Sequence, residues 1–326
     1  MSTPAPTPDR AVSRLQSGRA LVPAVTTPID AELRPDGQRL LQRCRALSAE
    51  GCDGIALFGT TGEGVNFAVA DRQRVLEQMT ADGSGIDAAC LIVAAGASSS
   101  ADAIALAKHA TGLGVAGVLL MAPTYYRNGI GDEGLYRFYA SVIDRVGDDR
   151  LRLYLYHFPD ICGSRITPAL ARRLRDRYGP IVAGIKDSGG DLSVTLALLD
   201  ENPGLAIYTG TEVHIPDVVR RGGRGSICGL GNVLPRLLRR LLDARDQEES
   251  GRLAAHVLAL DTILSRGPFI ASVKAMVAAG AADPAWLAMM PPLTELAEAD
   301  RQRMLADIAA VQAALPADLR EAPFRG

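Results

Sequence analysis

The sequence predicts a (β/α)8 TIM barrel with a C-terminal helical extension. Three observations carry that prediction. Eight short apolar runs succeed one another over the first two thirds of the chain, and stretches of helical periodicity alternate with them. No GxGxxG follows the first run, as an open doubly wound sheet would ordinarily require. From about Pro235 onward the pattern is helical throughout.

The strand-like runs are ALVPAVTTP (20–28), GIALFG (54–59), LIVAAG (91–96), GVLLMAP (117–123), LRLYLYHFP (151–159), IVAGIKD (181–187), LAIYTG (205–210) and GSICGLG (225–231). Between them lie amphipathic segments such as GQRLLQRCRALSAEG (37–51), SADAIALAKHATGLG (100–114), TPALARRLRDRYG (167–179) and EVHIPDVVRRGG (212–223). Glycine-rich joints (AEGCDG, GLGVAG, RGGRG) supply helix C-caps and tight turns back into the sheet. Eight βα units suit a parallel sheet, and eight is the number that closes into a barrel. The chain divides into a Pro-, Ser- and Thr-rich tail (1–18) expected to be flexible, a barrel (19–245) and a helical extension (246–326) expected to pack on the barrel or at a subunit contact.

Composition excludes several classes of function. The formal net charge is −2, and no basic run offers the positive footprint that nucleic acid demands. The apolar runs are strand-sized, and the N-terminal stretch has no apolar segment fit for a signal sequence. Five cysteines, Cys44, Cys52, Cys90, Cys162 and Cys228, form no CxxC pair or metal-ligand spacing, which fits a reducing cytoplasm.

Lysine is rare here: three residues, Lys108, Lys186 and Lys274, against a total of 35 Lys and Arg. Lys186 ends an apolar run, where an ammonium and a guanidinium are least interchangeable, because only the former can yield a neutral amine and an imine. The plain alternative is a snorkelling or ion-paired lysine beside Asp187.

Barrel enzymes build their sites at the C-terminal ends of the strands. Those ends carry Thr26 and Thr27, GTTGEG (59–64), PTYYRN (123–128), Tyr156 and His157, Lys186, TGTE (209–212), and Ile227 with Gly229. Singly, each has an ordinary role. GTTGEG could be a turn with Glu63 near a helix start for dipole reasons, the tyrosines could be capping or core residues, and Glu212 could merely begin a helix. His157 alternates with Tyr156 and so should face the helices as a structural residue. Jointly they fit imine chemistry on a 2-oxo acid. Two hydroxyls between glycines before a helix present N–H groups to a carboxylate. An ordinary lysine of pKa about 10.4 is mostly ammonium at neutral pH, and only the neutral amine attacks a ketone. A tyrosine in reach, relayed through a threonine hydroxyl to a second tyrosine, can move the protons.

Together, GTTGEG, PTYYRN with EGLYRFY, YHFP, GIKDSGGD and GGRGSICGLGNVLP resemble the dihydrodipicolinate synthase and N-acetylneuraminate lyase family of class I aldolases, from Arg19 to about Pro292. The resemblance implies that Lys186 forms the Schiff base with pyruvate and that Tyr156 shuttles protons. It implies that Gly59, Thr60 and Thr61 belong to the carboxylate-holding turn, with Thr60 also in the relay. Tyr126 resembles the relay tyrosine contributed by a neighbouring subunit, so a homodimer or a tetramer built as a pair of dimers is implied. Gly210 and Ile227 match pocket-lining positions. No metal or added cofactor is implied. In synthase members an arginine that grips the carboxylate of aspartate semialdehyde stands where this chain has Ile161, and a threonine where it has Cys162. Thr211 and Glu212 lie where lyase members hold sugar hydroxyls. The expected activity is therefore cleavage of a 2-keto-3-deoxy sugar acid or a related aldol. Dihydrodipicolinate synthesis, an imine-dependent hydro-lyase, and a non-catalytic 2-oxo-acid-binding barrel are the alternatives.

Overall fold

A computed structural model describes residues 14–127 and 129–321. Eight parallel strands form one sheet: β1 (Ala20–Pro23), β2 (Ile55–Leu57), β3 (Leu91–Ala94), β4 (Gly117–Met121), β5 (Leu153–His157), β6 (Val182–Asp187), β7 (Ala206–Thr209) and β8 (Gly225–Cys228). Each lies within its predicted run. β1 pairs with β8, and the sheet continues in sequence order from β2 to β8. The circle closes between β1 and β2 through a parallel bridge from Ala24 to Ala56, where the Val25 N–H donates to the Ala56 carbonyl at 3.0 Å. The (β/α)8 barrel is thereby formed.

Local chemistry explains the helices around it. Asp36 accepts from the N–H groups of Gln38 and Arg39 at the start of Gly37–Ala49, and Ser99 does the same for Ser100–Gly112. Thr167 caps Pro168–Tyr178, whose proline stands at the first turn, where its missing N–H costs nothing. The helical region after β8 comprises Pro235–Asp243, Gln247–Leu264, Phe269–Ala281 and Glu298–Ala313. It contributes Leu260, Leu264, Met276 and Trp286 to the same apolar cluster that fills the space between strands and helices. Among the described residues, no single helix is long and apolar enough to cross a membrane.

Inside the barrel a second cluster runs from small residues such as Ala56, Ala183 and Ala206 to Tyr154, Tyr156 and Tyr208. Tyr154 is accommodated only because Gly117 and Gly184 flank it: a Cβ on Gly117 would lie 2.4 Å from its ring, and one on Gly184 would lie 2.1 Å from the Ala206 carbonyl. The tail prediction needs correction at its inner end. Residues 1–13 lie outside the described residues, but Arg14–Ser17 form a helical turn and Leu15 is buried in the barrel's interior cluster, its carbonyl accepting from the Tyr208 hydroxyl. A floor of apolar and aromatic groups therefore underlies the polar mouth.

These contacts predict that Gly184→Ala lowers stability by about 1–3 kcal/mol or more, since the clash is with backbone. Gly117→Ala should cost a similar amount but be relieved by Tyr154→Leu, because there the nearest obstacle is a side chain. Thermal midpoints of the three single variants and the two glycine/Tyr154→Leu pairs check this.

Candidate active site

Lys186 and Tyr156 are register partners on β6 and β5, and both point into the barrel. Lys186 is 4% exposed, with Nζ 4.3 Å from the centroid of the Tyr156 ring. The Tyr156 hydroxyl lies 3.4 Å from Thr60 Oγ1, which belongs to the turn after β2. The amine thus lies against the face of the phenol ring, whose hydroxyl lies beside that of the threonine. The neighbouring Asp187 fixes the end of β6: its carboxylate accepts from Thr195 Oγ1 at 2.6 Å and the Gly189 N–H at 2.8 Å, and its carbonyl from the Gly210 N–H at 2.6 Å.

The turn 59–64 is shaped by two left-handed residues that are not glycine, Phe58 at φ 58° and Glu63 at φ 54°. Such conformations are uncommon and persist only where the surroundings enforce them. The N–H groups of Gly62 and Gly64 both donate to the Gly59 carbonyl, and that of Glu63 to the Thr60 carbonyl. Those three amides are consumed by the turn itself. Among the described residues, none accepts from the N–H of Thr60 or Thr61, and these two amides with the Thr61 hydroxyl are the donors left for an anion. Thr27 Oγ1 donates to the Gly62 carbonyl at 2.7 Å, holding the turn to the end of β1. Gly62 must be glycine, since a Cβ would meet the Val25 carbonyl at 2.7 Å.

Glu63 does not serve a helix dipole, as the sequence suggested. Its buried carboxylate pairs with Lys274 from the helix Phe269–Ala281 and accepts the Met290 N–H at 2.8 Å. Burial pushes the Lys274 ammonium below its ordinary value, an effect that Glu63 opposes.

On the far side of the mouth, Asn232 ties β8 to β1: its Nδ2 donates to the Ala24 and Gly229 carbonyls, each at 2.8 Å, and its Oδ1 accepts the Thr26 N–H at 3.0 Å. Ile227 is buried in the interior cluster with Tyr156. Gly210 lies against Ser188, whose Oγ would be 2.0 Å from an added Cβ. Gly229 lies between Thr61 and the Phe269 ring, which a Cβ there would approach to 3.3 and 2.6 Å. Thr211 is half-buried, its N–H and carbonyl both engaged by Thr209 Oγ1.

Glu212 has a structural duty as well: its Oε1 accepts the Leu230 N–H at 2.9 Å and so holds the turn after β8. Burial raises its carboxyl to about 7, against a lowering by that N–H. His157 is buried facing the helices, as its alternation predicted. Its Nδ1 accepts the Ile166 N–H at 2.9 Å, leaving Nε2 to carry the proton, and burial holds the imidazole below its ordinary value. Tyr126 and Ile161 are not gathered into the pocket by this chain: they are 70% and 38% exposed. Asn128, the last residue of the tyrosine motif, lies outside the described residues. Sequence reasoning gave no role to Asn232, Ser188 or Phe269. The scarcity of lysine was the one signal that could have marked Lys274.

The chain is similar to known proteins in sequence and in fold. A model of the dihydrodipicolinate synthetase family matches residues 17–311. The chain is 34% identical over 240 residues to 4-hydroxy-tetrahydrodipicolinate synthase 1 of Streptomyces coelicolor, covering 73% of this chain and 74% of that protein. It is 33% identical over 230 residues to an uncharacterized DapA-like lyase of Chloroflexus aurantiacus, covering 70% and 75%. The structure matches dihydrodipicolinate synthase from Agrobacterium tumefaciens with a TM-score of 0.82 at 28% identity, over 90% of this chain and 99% of that one. A variant of Sulfolobus solfataricus 2-keto-3-deoxygluconate aldolase shares the fold, with a TM-score of 0.81 at 20% identity over 90% and 96% of the two chains.

The Glu212 carboxyl generates a pH prediction. A folded value raised to about 7 from the ordinary 4.5 means that the folded state binds the proton more tightly than the unfolded one. Its stabilising effect is therefore complete below about pH 4.5 and lost as pH rises through about 7. The full difference is of the order of 3 kcal/mol. Glu212→Gln keeps an oxygen for the Leu230 N–H and should remove that loss. Denaturant melts of both proteins between pH 5 and 8 should give curves that diverge in favour of the variant as pH rises; parallel curves would contradict the assignment.

Proposed function

Because the chain belongs to the dihydrodipicolinate synthetase family, whose members are lyases and aldolases, we propose that it is a class I aldolase that handles pyruvate as an imine on Lys186. The observation carrying this reading is the buried Lys186 amine against Tyr156, whose hydroxyl in turn reaches Thr60.

In the cleavage direction the neutral Lys186 amine adds to the C2 carbonyl of a 4-hydroxy-2-oxo acid, and the carbinolamine loses water to give a protonated imine. Removal of the C4 hydroxyl proton breaks the C3–C4 bond, releasing an aldehyde and leaving the bonding pair in an enamine. Protonation at C3 and hydrolysis then release pyruvate and regenerate the amine. Tyr156 moves the protons at the carbinolamine and the C4 oxygen, with Thr60 as its link. The carboxylate rests on the Thr60 and Thr61 amides and the Thr61 hydroxyl, while Gly59, Gly210 and Ile227 shape the pyruvate pocket. The exposed Tyr126 completes the relay from a second copy of the chain, so the working form is a dimer or a pair of dimers. The imine itself supplies the electron sink, and the scheme calls for no metal or added cofactor.

The aldehyde half is best matched by a 2-keto-3-deoxy sugar acid or a related aldol. Ile161 cannot clamp a second carboxylate, a charge-assisted contact worth about 1.5–3 kcal/mol, and this weighs against dihydrodipicolinate synthesis. The Ser188 and Thr211 hydroxyls, with the Glu212 oxygen that Leu230 does not engage, are the polar groups that support a polyol partner.

Borohydride added to the protein in pyruvate should leave a reduced pyruvyl adduct on the peptide carrying Lys186. Lys186→Ala should abolish both adduct and turnover, and Tyr156→Phe should slow turnover by about 10²–10⁴-fold. An adduct-free, folded wild type would favour the non-catalytic binding barrel. Among aldols, sugar-derived acids should be cleaved with higher kcat/KM than aspartate semialdehyde is condensed.

A further inference from the structure

The carboxylate of Glu63 is the meeting point of the barrel and the C-terminal helices. One oxygen pairs with Lys274 Nζ and the other accepts the Met290 N–H at 2.8 Å, while the same Nζ donates to the Ala288 carbonyl at 2.6 Å. Both side chains are fully buried. A buried carboxylate stripped of its ammonium is strongly unfavourable, so the pair locks Glu63 in place. Glu63 needs such a lock because its backbone is left-handed without being glycine.

What that lock controls lies immediately upstream. The Glu63 N–H donates to the Thr60 carbonyl at 3.1 Å, setting the peptide planes of Thr60 and Thr61. Thr60 Oγ1 stands 3.4 Å from the Tyr156 hydroxyl, at the limit of a hydrogen bond, so a shift of a few tenths of an ångström makes or breaks the contact. The same helix places Phe269 against Gly229 beside Thr61 Oγ1. Two groups five residues apart on one helix, Phe269 and Lys274, thus stand against the turn at two points.

We propose that Lys274 is a positioning residue for the 2-oxo-acid carboxylate: paired with Glu63, it holds the turn 59–64 in the geometry that presents the Thr60 and Thr61 amides to the substrate. The inference rests on the proposed imine chemistry, and it gives the C-terminal extension a part in building the active site.

The test measures how the Lys186 adduct depends on pyruvate concentration under borohydride trapping. Three proteins are compared: wild type, Glu63→Gln, and Glu63→Gln with Lys274→Met. Glu63→Gln is isosteric and keeps an oxygen for Met290, so the comparison stays decidable even if the double variant does not fold. An irreversibly misfolded population lowers the plateau of trapped protein without moving the half-saturating concentration, and a reversibly unfolding one raises it only by the inverse of the folded fraction, which circular dichroism measures. A displaced turn moves that concentration. The expected result is a rise of at least tenfold in half-saturating pyruvate for each folded variant, with circular dichroism unchanged. A half-saturation within twofold of wild type would overturn the inference and leave the pair a structural brace. If wild type itself traps no pyruvate, the imine reading fails first, and the two failures remain distinct.

Discussion

Lys186 stands inside a closed wall of small and apolar residues with its Nζ 4.3 Å from an aromatic ring, and that placement constrains everything around it. A long side chain ending in an amine can be buried at a barrel mouth only if the layer beneath is filled and the layer above is polar. Tyr154 and Tyr208 fill the layer beneath, and Leu15 closes it from the N-terminal side. Above, Tyr156, Thr60 and Thr61 give the amine polar company and leave room for a small acid. The closing bridge between Ala24 and Ala56 is what brings the turn after β2 round to face β5 and β6. An open sheet of the same strands would separate them.

The mouth is held by a ring of long-range ties, each of which spends a polar group on architecture. Asp187 fixes the end of β6 to Thr195 and to Gly210, Asn232 joins β8 to β1, Glu212 secures the turn after β8, and Glu63 reaches the C-terminal helices. Preorganisation of this kind is how a rigid scaffold holds reacting groups to within a fraction of an ångström. It also explains why the carboxylates of Asp187 and Glu63 are unavailable to substrate: their oxygens are already committed to backbone N–H groups, a hydroxyl or an ammonium.

Much of this was legible in the sequence, because the signals were local. Alternation along LRLYLYHFP put Tyr156 inside and His157 outside, and both lie there. Apolar runs located all eight strands, since a strand buried on both faces is apolar along its length. What escaped was non-local. Nothing near Glu63 in sequence announces a partner 211 positions away in Lys274, and Glu212 gave no sign that an N–H beyond the next strand would claim it. Leu15 read as part of a loose tail because a single apolar residue carries no period, yet it seals the barrel floor.

The central claim is that a turn braced from the C-terminal helices delivers a carboxylate to a buried lysine. A crystal structure of the protein soaked in pyruvate tests it most directly. The account predicts continuous density from Lys186 Nζ to C2 of the acid, with its carboxylate on the Thr60 and Thr61 amides and the Glu63–Lys274 pair intact behind them. Pyruvate bound without a bond to Lys186, or with its carboxylate held away from that turn, would contradict it.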